Sequence, residues 1–200
     1  MSYSYPALPP ILHRVSALGL KVFSGSEAYD LNIIGIRSPE KTANAFDDLI
    51  CCAYREEKDG PWVVRCWPAT TDPGTYWLDN PSQVDGAAIL VPGQYRGVYK
   101  IDKHGGKYEA LCQRNGNVSV YRDNNRDSTL DVDTSPIETG MFGINIHHAG
   151  QNSTRVDKWS AGCQVFARMA DFDEFMGIVK QQIAHHPTWK SFTYTLIKEW

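Results

Sequence analysis

The chain has 200 residues, enough for one domain with a sizeable core, and its 20 Lys and Arg against 23 Asp and Glu leave a formal charge of −3. Lys and Arg are nowhere clustered, so phosphate neutralisation has no footing and a general nucleic-acid binder is excluded. No run of eighteen apolar residues occurs, so no membrane partner is expected.

Met1 to Pro10 lacks the basic and apolar regions of a secretory signal, so the protein is expected to be made in the cytoplasm without a signal peptide. Its 5 cysteines, at positions 51, 52, 66, 112 and 163, are odd in number and form no C-x-x-C pair. That pattern suggests neither a disulfide framework nor a zinc ribbon, and reduced thiols are expected.

Ile11, Leu12, Val15 and Leu18 recur at helical spacing, which predicts a short amphipathic helix ended by Gly19. Val22-Phe23 and residues 31–36 read as strands. Ser38-Pro39 offers an N-cap with proline at the first helical position, so a helix is predicted from there to about Tyr54. Ala45, Phe46, Leu49 and Ile50 would be buried on it, with Cys51 and Cys52 at its end as small core residues. Residues 61–67 alternate as a strand and 68–74 form a polar, turn-rich loop.

From Ala87 the pattern becomes short strands, at 87–91, 97–101, 108–113 and 118–121, separated by Gly- and Asn-rich turns. A charged loop over 122–133 lacks the spacing of a calcium-binding loop and precedes a strand over 140–147. Asp171-Phe-Asp-Glu174 reads as a capping box opening a helix to His185, with Phe172, Phe175, Val179 and Ile183 on one face. Pro187 stops it, and 191–198 alternates as a last strand. The expected fold is a single α+β domain over 1–200, a β-rich sandwich with flanking helices. Residues 1–85 would be an N-terminal elaboration packed on a catalytic core of 86–170, with 171–200 as the C-terminal helix and strand.

The chemistry concentrates in two stretches, Gly140 to His148 and Ser160-Ala161-Gly162-Cys163-Gln164. A thiol is mostly protonated at neutral pH, so a nucleophilic cysteine needs an imidazole or oriented N–H groups beside it. His147, at the end of a predicted strand, can supply that base to Cys163. Strand parity puts Asn145 and His147 on one face and turns His148 to the other. Gly162 leaves the backbone approachable, so consecutive N–H groups around Gly162 and Cys163 can hold an oxyanion. Cys66 and Cys112 lie in apolar, strand-like settings and read as small hydrophobes instead. A zinc site of His104, His147, His148 and Cys163 is disfavoured, because adjacent strand histidines diverge. Neither metal nor cofactor is expected.

Ile146-His147 followed by Ser160-Ala161-Gly162-Cys163 resembles the signature of the L,D-transpeptidase catalytic domain, the YkuD-like family of cysteine enzymes acting on peptidoglycan stem peptides. The resemblance covers residues 86 to about 170. The wording Gly-Ile-Asn-Ile-His with Ser-x-Gly-Cys-Gln looks closer to phage and phage-like murein-cleaving members than to bacterial cross-linking enzymes. It implies an L,D-transpeptidase-like fold, with Cys163 as nucleophile and His147 as base, its ring oriented by the backbone carbonyl after it. Ser160 and Gly162 would shape the acyl site. Asn145, His148, Gln164 and His104 are the expected substrate contacts. Many members carry a hydrophobic residue and then arginine after the cysteine, to bind a substrate carboxylate; Gln164-Val165 lacks it, leaving Arg122, Arg155 or Arg168 to supply the charge. The implied activity is hydrolysis or transpeptidation of stem peptides through a Cys thioester, in an endolysin-like phage lysis or cell-entry enzyme. A non-catalytic wall-binding or virion protein and a secreted antibacterial toxin are the alternatives. The expected protein is a monomer acting on peptidoglycan in the periplasm or cell wall, delivered there by another factor.

Overall fold

A computed structural model describes residues 1–134 and 136–199. In chain order the elements are β1 (Ser2–Tyr5), α1 (Pro10–Ala17), β2 (Asn32–Arg37), β3 (Asp48–Arg55), β4 (Trp62–Thr70), α2 (Thr75–Asp79), β5 (Ala87–Leu90), β6 (Gly93–His104), β7 (Tyr108–Gln113), β8 (Val118–Asp123), β9 (Glu138–Gly140), β10 (Ile146–His148), β11 (Gln164–Phe166), α3 (Met169–His185) and β12 (Phe192–Lys198). The chain is β-rich with few helices, as expected. Among the described residues no helix is long and apolar enough to cross a membrane.

The larger sheet runs β1-β4-β11-β10-β7-β6-β12-β2-β3, and β3 also pairs with β4 from Asp48↔Ala69 to Arg55↔Trp62, so the sheet closes on itself. The other edge of β4 is shared: Trp62 to Arg65 face β1, and Ala69 and Thr70 face β11. Strands from the first 70 residues and from residues 93–198 therefore belong to one sheet. β5, β8 and β9 form a separate antiparallel sheet of three strands. Arg37, buried, ties the two sheets: its Nη1 donates to the Leu90 carbonyl of β5 at 2.8 Å and its Nε to Thr71 Oγ1 at 3.0 Å.

Period-2 alternation sorts the side chains of the closed sheet. Ile33, Ile50, Cys52, Tyr54, Trp67, Leu111, Phe166, Tyr194 and Leu196 join one core, to which α3 adds Phe172, Phe175, Met176 and Val179. Ile34, Cys51, Ala53, Val64 and Ile197 point the other way, beneath Ile11, Leu12 and Val15 of α1. α1 thus lies close to its expected place, and Gly19 follows it at φ +72, a left-handed value that suits glycine.

The predicted helix over 38–54 is overturned: its second half is β3. Both faces of β3 are covered, Ile50, Cys52 and Tyr54 by one core and Cys51 and Ala53 by the other, so the run shows no polar alternation. Ser38 caps a short turn rather than a helix, its Oγ accepting the Glu40 N–H at 3.2 Å. Ala45 and Leu49, expected in the core, are exposed. The expectation of reduced thiols fails too. Cys51 and Cys66 sit opposite each other across β3 and β4 and form a disulfide, with Cα atoms 4.1 Å apart. Only the strand register brings them together; Cys52 and Cys112 are buried free thiols.

Other corrections are local. Val22-Phe23 is not a strand; the Phe23 N–H is held by Asn32 Oδ1 at 2.8 Å. The start of the chain supplies β1, and the polar stretch 68–74 splits into the end of β4 and the approach to α2. The capping box is not made: Asp171 pairs with Arg168 at 2.7 Å, while Glu174 accepts the Trp67 indole N–H at 2.8 Å and meets Arg65 at 3.2 Å. The expected strand over 140–147 is two pieces. β9 belongs to the small sheet, β10 to the large one, and residues 141–145 cross between them.

Candidate active site

β10 and β11 run parallel, with Ile146 opposite Gln164 and His147 opposite Val165. Carried one residue back, the register sets Cys163 against Asn145, and the Gln164 N–H donates to the Asn145 carbonyl at 2.9 Å. Register partners and residues two apart share a face, so Asn145, His147 and Cys163 emerge on the same side of neighbouring strands. Sixteen residues of sequence are thereby reduced to one strand spacing.

The turn that presents Cys163 is built by Ser160. This fully buried hydroxyl accepts the Gly162 N–H at 3.1 Å and donates to the Cys163 carbonyl at 2.8 Å. Gly162 adopts φ +123, and a Cβ there would stand 2.3 Å from the Ala88 carbonyl oxygen of β5. Glycine is therefore required by conformation and by the approach of the small sheet. Because Ser160 occupies the Gly162 N–H, the expected pair of oxyanion donors at Gly162 and Cys163 is reduced to that of Cys163.

Cys163 Sγ accepts the Asn145 N–H at 3.4 Å and donates to the Gly143 carbonyl at 3.6 Å. Burial pushes its pKa up to about 11, against a smaller lowering by the Asn145 N–H. The group is a protonated thiol at rest.

His147 is buried, and its Nδ1 lies 2.9 Å from the His148 carbonyl oxygen. A carbonyl only accepts, so Nδ1 carries the proton and Nε2 keeps its lone pair. Tyr108 closes the arrangement, donating to the same carbonyl at 3.4 Å. The His104 ring stacks on His147 at 4.0 Å between centroids and 18° between planes. His104 is itself oriented. Asn145 Oδ1 accepts the Gln113 N–H at 3.0 Å, which turns Asn145 Nδ2 toward His104 Nδ1 at 3.1 Å. His104 Nδ1 is then an acceptor and its proton sits on Nε2. Burial first, and His104 second, lower the His147 pKa to about 3. Both groups are thus neutral, the imidazole on β10 and the thiol just ahead of β11. Among the described residues the two share no hydrogen bond, as is common before substrate tightens a site.

Cys163 opens on a cleft of 450 Å³ between the large sheet and the small one, with Trp77, Ala88, Arg122, Phe142 and Gly143 among its walls. A larger hollow of 650 Å³, near Asp30, Arg96 and Trp189, contains none of the expected catalytic residues. Comparison with known proteins matches the chain to no family model, no curated protein and no solved structure.

The residues expected to touch substrate divide. Arg122 lies in the cleft. His104 and Asn145 stand behind His147 and Cys163 and orient them. Gln164 is wholly buried, its amide donating to the Thr71 and Gly162 carbonyls at 3.3 and 3.2 Å and accepting the Tyr194 hydroxyl at 2.8 Å, so it braces the turn instead of meeting substrate. His148 faces away, against Tyr108 and Phe172 with centroids at 4.5 and 5.1 Å. Arg155 is exposed beside Asp157 at 3.6 Å and lines a different hollow. Arg168 is spent on Asp171.

Gln113 went unnoticed in the sequence, where it ends an apolar run without a distinguishing motif. Fully buried, it donates to the Gly116 and Gly140 carbonyls, both at 3.0 Å, and accepts the Ile144 N–H at 3.0 Å. It pins the crossing segment 141–145 from which Gly143 and Asn145 meet the thiol.

Proposed function

We propose that the protein is a cysteine-dependent acyl-transfer enzyme of L,D-transpeptidase type, acting on the stem peptides of peptidoglycan. The observation that carries this reading is the bond from His147 Nδ1 to the His148 carbonyl, which leaves an unprotonated Nε2 on the strand paired with the one that follows Cys163. It is the orientation that the Ile-His and Ser-x-Gly-Cys resemblance implies for the base.

Cys163 Sγ attacks a stem-peptide carbonyl, that of the diaminopimelate residue, while His147 Nε2 takes the thiol proton. A resting ion pair between groups near 11 and near 3 is unstable, so proton transfer accompanies formation of the C–S bond. With the Gly162 N–H taken by Ser160, the oxyanion falls to the Cys163 N–H in this scheme. The proton then passes from His147 to the leaving amine, and a thioester remains. Water as acceptor gives hydrolysis, the outcome favoured by the likeness to phage-type murein-cleaving members; a second stem amine gives transpeptidation. The Cys51–Cys66 disulfide supports action in an oxidising compartment such as the periplasm. Delivery to the wall by another factor is part of the proposal. Purified sacculi treated with wild-type protein are expected to release new muropeptides, with a stem-peptide adduct on Cys163 visible by intact-protein mass. Equal products from wild type and Cys163→Ala would sink the assignment.

A further inference from the structure

The hollow of 650 Å³ near Trp189 lies where two local irregularities meet. β6 and β12 shift register between Phe192 and Tyr194, and Gly97, at φ +64, donates its N–H to the side-chain Oγ1 of Thr193 at 3.1 Å. Such bulges interrupt a ladder and recur beside functional sites. After α3, Pro187 turns the chain, and the Trp189 N–H closes that turn on the His186 carbonyl at 2.9 Å. His186 Nε2 donates to the Ala28 carbonyl at 2.7 Å, and the Trp189 indole stacks on this anchored ring, 3.9 Å between centroids and 17° between planes. One face of the indole is thus held, while the residue stays 40% exposed and lines the hollow. Asp30 and Arg96 line it too, and among the described residues neither side chain makes a hydrogen bond or an ion pair. Asp30 is half-buried: burial pushes its carboxyl up, against the pull of His186 and Lys21.

An anchored aromatic ring with a few convergent polar groups is the make-up of a small-ligand site. The polar groups here are of both signs and unspent. A lone anion entering the hollow meets Asp30, and a lone cation meets Arg96, so a neutral ligand that both donates and accepts is favoured. Hydroxyl groups do both. A pyranose ring carries several of them at its rim and an apolar C–H face that packs on an indole. We propose that this hollow is a saccharide-binding site that takes one pyranose unit of a neutral β-1,4-linked glycan, with Trp189 as its platform, Asp30 accepting from sugar hydroxyls and Arg96 donating to them. The choice of glycan rests on the peptidoglycan reading above, since the stem peptides hang from such a strand. The hollow and the Cys163 cleft share no lining residue, so the strand can be held at one while a stem is processed at the other.

Equilibrium binding separates this inference from the chemistry. Wild-type protein is titrated calorimetrically with chitotetraose, a neutral β-1,4-linked sugar without peptide, and with glycylglycine, a zwitterion that could satisfy both charges but has no ring to place on the indole. The sugar is expected to bind and the dipeptide to bind more weakly. Trp189→Ala and Asp30→Asn are each expected to weaken sugar binding at least about tenfold, the first by removing the platform and the second by removing a charged acceptor. Asp30→Asn disturbs no hydrogen bond, so the test stays decisive if Trp189→Ala folds poorly. Both variants should still form the stem-peptide adduct on Cys163, because a free stem carries no sugar. No binding of chitotetraose, tighter binding of glycylglycine, or sugar binding unmoved by Asp30→Asn overturns the inference and leaves the Cys163 adduct untouched. Sugar binding that falls in both variants, in a protein whose wild type forms no adduct, supports this site and counts against the proposed reaction alone.

Discussion

Replacing Ser160 with alanine removes one oxygen and strands two buried backbone groups, the Gly162 N–H and the Cys163 carbonyl. Ser160 is wholly buried, so water cannot replace the hydroxyl without the turn opening. A buried polar group left without a partner costs about 1–3 kcal/mol, and partial relaxation brings the pair to about 3 kcal/mol. For a chain of this size each kcal/mol moves Tm by roughly 2–4 °C, so a fall of about 6–12 °C is expected. Calorimetry or urea unfolding measures it, with Ser119→Ala as the comparison. Ser119 exchanges a hydroxyl bond with Thr139 at 2.9 Å on the exposed surface, where water substitutes freely, and its loss should cost under about 0.5 kcal/mol. A Ser160→Ala loss no larger than that of Ser119→Ala would refute the role of Ser160 as the brace of the cysteine turn.

Gly162→Ala meets the Ala88 carbonyl at 2.3 Å in a left-handed conformation, so the turn must move. The variant should lose muropeptide release almost entirely, and near-wild-type turnover would contradict the geometry. His147 binds a proton in the unfolded chain below its ordinary value of 6.5 but in the folded one only near 3. Between those values the unfolded state holds more protons, so this residue makes stability fall as pH drops from 6.5 toward 3. His147→Asn should flatten that part of the urea-midpoint profile relative to wild type; an unchanged slope would be inconsistent with a buried neutral imidazole. Cys163 behaves oppositely. Its thiol keeps its proton up to about 11, beyond its ordinary value of 9.0, so it makes stability fall as pH rises between them. Cys163→Ala should remove that alkaline loss, and a profile matching wild type would argue against a desolvated thiol.

Much of the candidate site was legible in the linear sequence because its signal is local. Strand parity alone separated His147 from His148, and the structure buries the first against His104 while turning the second toward Phe172. Gly162 and Ser160 were likewise readable, since a cysteine turn approached by another backbone asks for a residue without Cβ and a small hydroxyl. α1 and α3 announced themselves through one-sided apolar spacing, each having one covered face.

What escaped was whatever depends on register or on a second buried face. β3 was mistaken for a helix because apolar neighbours on both sides erase the alternation by which a strand is recognised. The Cys51–Cys66 bond arises from the β3–β4 register, to which cysteine spacing gives no access. Gln164 looked free to meet substrate until Thr71, Gly162 and Tyr194 claimed its amide, and Arg122 looked like a free cation until Glu138 arrived from β9. The sequence by itself thus determined the candidate pair, His147 and Cys163, and the small residues that present the cysteine, since both follow from side-chain type and local backbone geometry. Only the tertiary structure decided the closed sheet, the neutral state of thiol and imidazole, and the charge balance of the cleft. Those depend on burial and on partners distant along the chain.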